Sequence, residues 1–239
     1  MVYVHSEYAG NLADCYKHQL LCYLLALSPA QYLETHAGAG CYQLAESGRW
    51  QQGIGPLWPL QGAEFNADWV AAVTALNPHQ LEFYPGSPWL ARAMLGPERL
   101  TLFELDMAVS DQLREVLPDV DVRTGDGFSS VVHLLEPDCL VLVDPPYAEP
   151  EEFERALMLV ALVAQRQDCT LMLWYPRFSD RREQEFVTEL ESLLAGCGWQ
   201  HELQFSRPQG ALCGCGVAVV GAEQPESAVL QAMIQRLVL

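Results

Sequence analysis

The sequence predicts an α/β protein with a doubly wound, mainly parallel sheet and a small helical insertion after the first strand. Three observations carry this. Short Val- and Leu-rich runs of the kind that fill buried parallel strands recur along the 239 residues. They alternate with segments of helical periodicity, the order that builds a parallel sheet. Half of the residues are apolar, enough for one large core, so residues 1–239 are expected to form a single domain.

The elements follow in order. Residues 8–27 set Leu20, Leu21, Leu24 and Leu25 on one helical face, with Asn11 or Asp14 as cap, so residues 1–28 form an N-terminal motif and helix. Gln31 to Thr35 is the first strand and runs into His36-Ala-Gly-Ala-Gly40. Residues 45–62, rich in Gly, Pro, Gln and Trp, read as loop, and 63–76 as a helix around Trp69, Val70 and Val73. The stretch 45–80 is thus an inserted helical subdomain. Leu81 to Tyr84 is extended, Pro85 to Pro88 a turn, and 88–95 a helix. Leu100 to Leu105 is the next long strand, followed by a helix through Leu113 and Val116 and a strand from Val120 to Thr124. A helix over 127–135 precedes the strand Cys139 to Val143. Pro150-Glu151-Glu152 then opens a helix to 166 with proline and acids in its first turn. Cys169 to Tyr175 is a strand and 180–196 a helix. Strands at 200–205 and 215–220 and a helix over 225–238 end the chain.

Composition narrows the class. There is no apolar run of 18 residues, which argues against a membrane span. The N-terminus lacks the basic and apolar regions of a signal peptide, so a cytoplasmic protein is expected, with its eight cysteines as reduced thiols. No C-x-x-C pair occurs, Cys213-Gly-Cys215 is too tight for common zinc spacing, and no metal site is predicted. Thirteen basic residues face 31 acidic ones, a net charge of −18. That weighs against tight autonomous binding of nucleic acid but leaves room for a local basic patch. Twelve of the basic residues are arginine, and Lys17 is the only lysine.

Residues Cys139 to Tyr147, C-L-V-L-V-D-P-P-Y, carry the chemistry. A buried strand ends on Asp144, and two prolines forbid further pairing. A carboxylate is thus held at the carboxyl end of a strand, where open α/β sheets bind ligands. Asp144 and the carbonyl of Pro145 can accept the two N–H bonds of a planar exocyclic amine, and Tyr147 offers a ring to stack on. That set suits an amine nitrogen attacking a methyl donor.

A cofactor site is read from the other strand ends. Gly38 and Gly40 in the turn after the first strand let the backbone approach a ligand closely. Glu104 ends the next long strand, where an acid can accept both hydroxyls of a ribose. Asp126 ends the following strand between glycines and can accept from an adenine amine. Nothing here cradles a pyrophosphate, so the layout suits S-adenosylmethionine better than a dinucleotide.

Seven motifs then resemble one family. They are H-S-x-x-A-G-N-x-A-D-x-x-K-H at 5–18, T-H-A-G-A-G at 35–40, Y-P-G-S-P at 84–88, E-L at 104–105, G-D-G-F at 125–128, D-P-P-Y at 144–147 and L-W-Y-P at 173–176. Together they resemble the bacterial RlmJ-type family, which methylates N6 of an adenine in 23S ribosomal RNA, over nearly the whole chain. The resemblance implies a Rossmann-like S-adenosylmethionine-dependent methyltransferase. It implies that His18, His36, Ser87, Glu104, Asp126, Gly127 and Asp144 contact the cofactor and that Asp144 is the catalytic acceptor. It also implies that Tyr3 and His5 lie near the target adenine, and it places Lys17 in the same motif as a catalytic and substrate-binding residue. Lys17 is expected to meet RNA phosphate, with Arg49, Arg177, Arg181 and Arg182 as further candidates. The partner expected from the resemblance is ribosomal RNA, protein-free or partly assembled, met by a monomer.

The chain departs from the family pattern at Val4, where a basic residue is usual, and at Tyr8, where a second histidine is usual. Gly210-Ala-Leu-Cys-Gly-Cys-Gly216 replaces a G-M-T-A-S-G-M-like motif. These departures and the acidic charge keep two alternatives open. One is an enzyme of the same fold acting on DNA or a small amine-bearing molecule. The other is a non-catalytic S-adenosylmethionine-binding partner subunit, against which Asp144, Pro145 and Tyr147 speak.

Overall fold

The computed structural model describes residues 5–60, 65–235 and 237. The chain opens with α1 (His5–Tyr8) and α2 (Leu12–Leu25), whose start is capped by Asn11 accepting a 2.9 Å bond from the Asp14 backbone N–H. β1 (Gln31–Glu34) follows, then β2 (Cys41–Gln43), α3 (Ile54–Leu57), α4 (Ala67–Leu76), β3 (Phe83–Pro85) and α5 (Ser87–Leu95). Next come β4 (Leu100–Glu104), α6 (Met107–Val116), β5 (Asp121–Thr124), α7 (Gly127–Val131), β6 (Cys139–Val143) and α8 (Glu151–Ala164). β7 (Cys169–Phe178), α9 (Gln184–Leu194), β8 (Gly198–Gln209), β9 (Leu212–Val220) and α10 (Ser227–Gln235) complete it.

Seven strands form one sheet in the order β5-β4-β1-β6-β7-β9-β8. The first five are parallel, and β9 runs antiparallel between β7 and β8. β2 and β3 form a separate antiparallel pair. The period of two along each strand divides the core. In β6, Leu140 and Leu142 face the layer of α2, α4 and α5, while Cys139, Val141 and Val143 face that of α8 and α9. All five residues of β6 are buried, as its unbroken apolar run requires.

The order also places the ligand cleft. From β1 the chain builds outward through β4 to β5, then crosses back to lay β6 on the other side of β1. Such a switch point opens a crevice above the carboxyl ends of the strands. Among the described residues no helix is long and apolar enough to cross a membrane.

Several boundaries differ from expectation. β7 pairs on through Pro176 to Phe178, and β8 and β9 make a long hairpin reaching Gln209 and Leu212. The glycine-rich run 210–216 hid the start of β9, expected only from residue 215, because glycine weakens strand propensity. Gly216 is needed there for close packing, since a Cβ would come within 2.0 Å of the Tyr175 ring. β2 was also unforeseen.

Candidate active site

A cavity of about 700 Å³ lies over the carboxyl ends of the parallel strands, within the range of small-molecule sites. The loops after β1, β4 and β5 wall one half. The amino-terminal half of α2, the turn after β6, the end of β7 and the start of β9 wall the other.

In the first half, Gly38 takes a left-handed φ of 63° and donates its N–H to Glu104 Oε2 at 2.9 Å. Asp106 donates its N–H to the other oxygen, also at 2.9 Å. Glu104 thus pins the glycine turn while each oxygen keeps a lone pair for a ligand. Asp126 caps α7 by accepting from Phe128 N–H at 3.1 Å and meets Arg155 Nη2 at 2.5 Å. Against burial, Arg155 and the Ser129 hydroxyl hold its carboxyl below the usual range. Gly127 is obligatory for packing, since a Cβ would stand 2.1 Å from the Thr35 carbonyl oxygen. His36 lies edge-on to Phe128, and burial pushes its pKa down to about 4.

At the centre, His18 stacks on Tyr84 and its Nδ1 lies 3.1 Å from the Tyr84 hydroxyl. Burial and nearby Lys17 keep this histidine well below its usual pKa, hence neutral. Ser87 begins α5 and donates its hydroxyl to Glu34 Oε1 at 2.5 Å. Glu34, fully buried at the end of β1, also accepts from the Tyr32 hydroxyl at 2.8 Å. Burial raises its carboxyl to about 8, so it is largely neutral at pH 7. Sequence reasoning missed Glu34, although it is an acid at a strand end like Glu104.

In the second half, Lys17 Nζ lies 2.5 Å from Asp144 Oδ2 and 3.1 Å from Asp14 Oδ1. Burial alone would drive off the lysine proton, but the two carboxylates outweigh it and its pKa is raised. Asp14 is raised by burial and by Asp144, against the pull of Lys17. Pro145, Trp174, Phe178 and Leu212 complete this wall.

The cavity therefore brings together Lys17, His18, His36, Gly38, Ser87, Glu104, Asp126, Gly127, Asp144 and Pro145. Three expectations need correction. Tyr147 does not face the cavity. With φ at 51° its ring turns into the core beside Phe153 and Phe186, and its hydroxyl donates to the Trp174 carbonyl at 2.8 Å. Two prolines fix the turn, and apolar packing behind it claims the ring. Gly40 shapes the turn instead of lining the cavity; its carbonyl accepts from Gly86 N–H at 2.8 Å. Lys17 is not a surface phosphate contact, because two carboxylates hold it in a buried position, and Arg177 is paired with Glu183 and Glu202. Tyr3 lies outside the described residues, and His5 is described only as the first residue of α1.

The donor set fits an S-adenosylmethionine-sized ligand. A strand-end carboxylate with spare lone pairs, two turns without a Cβ and a neutral histidine line one continuous volume that reaches Asp144.

Comparison with known proteins agrees. A family model described as ribosomal RNA large subunit methyltransferase D, RlmJ, matches residues 28–237. Ribosomal RNA large subunit methyltransferase J of Escherichia coli K12 is 33% identical over 80% of this chain and 75% of its own. The protein of that name from Haemophilus influenzae Rd is 33% identical over 73% of this chain and 69% of its own. A crystal structure of a Legionella pneumophila protein superposes with a TM-score of 0.86 at 26% identity, covering 96% of this chain and 92% of that one.

Proposed function

The chain belongs to the RlmJ family of ribosomal RNA large subunit methyltransferases, and from that premise we propose that it methylates N6 of an adenine in 23S ribosomal RNA. The observation that carries the reading is Asp144 beside Pro145 in the wall of the cavity that Glu104 and Gly38 enter from the other side. When bound, S-adenosylmethionine supplies an electrophilic methyl group that passes to the amine lone pair, while the carbon–sulfur electrons stay with sulfur.

The chain's residues provide placement and electrostatics. Glu104 takes the ribose hydroxyls, and Asp126 and Gly127 meet the adenine ring of the cofactor. His18, His36 and Ser87 close round the rest. Asp144 and the Pro145 carbonyl accept the two N–H bonds of the target amine. That draws the nitrogen toward a tetrahedral form and stabilises positive charge as it develops. Lys17 pairs with one oxygen of Asp144 and holds the group in one orientation. Asp144 serves as a hydrogen-bond acceptor, which suffices, since an aminium on adenine is strongly acidic. Holding nitrogen and methyl in line supplies much of the remainder. The target base leaves its stack to enter. Trp174 and Phe178 offer it apolar faces, and Tyr147 anchors the Asp-Pro-Pro turn from behind. Tyr3 and His5 stay assigned to the target side.

We assign the enzyme to the cytoplasm, acting as a monomer on protein-free or partly assembled RNA, with residues 45–80 as an inserted subdomain. The test is transfer of labelled methyl to ribosomal RNA lacking the modification, read as N6-methyladenosine by nucleoside mass spectrometry. Absence of that nucleoside, with methyl transfer to DNA or a free amine instead, would overturn the reading.

A further inference from the structure

In a chain of net charge −18, six of the eleven described arginines are tied down by carboxylates. Arg92, Arg114, Arg123, Arg155 and Arg166 each hold an aspartate, and Arg177 holds Glu183 and Glu202. Among the described residues, five arginines have no carboxylate partner: Arg49, Arg99, Arg181, Arg182 and Arg207. Arg99 bonds Ser28 and the Pro29 carbonyl, at the amino end of β1, away from the cavity.

The other four gather on one side of the cavity mouth. Arg181 and Arg182 follow the end of β7, and Arg207 lies on the β8 arm of the hairpin. Arg49 reaches the tip of that hairpin, where a Cβ on Gly210 would stand 3.8 Å from its Nη2. Two of them are stacked on rings that line the cavity. Arg182 sits 3.6 Å from the Phe178 centroid and Arg49 4.9 Å from that of Tyr8. Stacking holds a guanidinium flat against the ring and leaves its N–H edge open for a phosphate.

We propose that this rim is the docking surface for single-stranded RNA, with Arg49 and Arg182 holding phosphates next to the extruded adenine. Arg181 and Arg207 extend the track along the hairpin. The inference rests on ribosomal RNA being the substrate. It also accounts for how so acidic a protein meets a polyanion: four of the five unpaired arginines among the described residues lie where the target strand must pass. Single strands are favoured because a base must be splayed out to reach the cavity. Four phosphate contacts on a single strand give a slope of log affinity against log salt of about −3.

The test uses the full chain, a labelled single-stranded RNA containing one adenine, and fluorescence anisotropy across a potassium chloride series. Arg49→Ala and Arg182→Ala should each weaken RNA binding roughly five- to tenfold and lower the slope by about 0.7, and the double variant by about 1.4. Arg182→Lys should restore the slope but not the full affinity, because the stack is lost. Arg114→Ala, on the exposed face of α6, should change neither. S-adenosylmethionine affinity by calorimetry should be unchanged in all of them. Wild-type binding and slope in both alanine variants, with a wild-type enzyme that methylates ribosomal RNA, would overturn the docking surface alone. A wild-type slope implying six or more phosphates would overturn the four-arginine footprint. A wild-type enzyme inactive on ribosomal RNA would overturn the substrate reading and this inference together.

Discussion

Lys17 Nζ and Asp144 Oδ2 stand 2.5 Å apart although 127 residues separate them in the chain. The strand-end carboxylate in the cavity is therefore one member of a triad with Lys17, which is buried, and Asp14, which like Asp144 is partly exposed. This pairing fixes which oxygen of Asp144 remains for a substrate.

Asp144→Ala should abolish methyl transfer while leaving a folded protein, because Lys17 keeps Asp14 as its partner. Losing one acceptor aimed at developing charge costs on the order of 10²-fold or more in rate. Single-turnover methylation measures it, and near-normal turnover would sink the mechanism.

Lys17→Met should cost stability as well as activity. It leaves Asp14 and Asp144 in one pocket without a cation, and breaking a buried pair this way costs about 3–5 kcal/mol. With the lysine gone, burial and the neighbouring Asp144 raise the Asp14 carboxyl still further above its unfolded value. The loss should then be largest at pH 8 and smaller at pH 5, where protonation relieves the repulsion. Urea unfolding at the two pH values checks the order.

Glu104→Ala should weaken S-adenosylmethionine binding about ten- to a hundredfold. The ribose loses a charged acceptor worth roughly 1.5–3 kcal/mol, and the Gly38 turn loses its anchor. An unchanged dissociation constant by calorimetry would mean that the cofactor lies elsewhere.

Glu34 gives a pH dependence of definite sign. Its carboxyl titrates at about 8 in the folded chain against an ordinary value of 4.5. Between these values the folded state holds a proton that the unfolded state has lost. Stability therefore falls as pH rises through this window, by at most about 1.4 kcal/mol per pH unit. Glu34→Gln keeps the shape and should flatten that part of the profile, measured as denaturation midpoint against pH. A variant profile parallel to wild type would refute the assignment.

Much of the fold was legible in the sequence. The β6 run could only be a buried strand, and its proline pair had to leave Asp144 at the carboxyl end. The acids ending β4 and β5 followed from the same local patterns. Those patterns are short-range: a period of two in a strand, a helix cap, a proline that cannot donate. They determine where an element stops and which residue stands at its end.

Tertiary structure decided where those end residues turn and what they meet. The Tyr147 ring went into the core because Phe153 and Phe186 pack behind the turn. Glu34 became neutral because β1 sits at the centre of the sheet, beneath Ser87 and out of water. The lone lysine, readable by itself as a surface cation, was drawn between two carboxylates because α2 packs across the strand ends. Local sequence determined the elements and the carboxylates at their ends. Burial and charge pairing are sums over neighbours far apart in the chain, so only the folded packing could settle them.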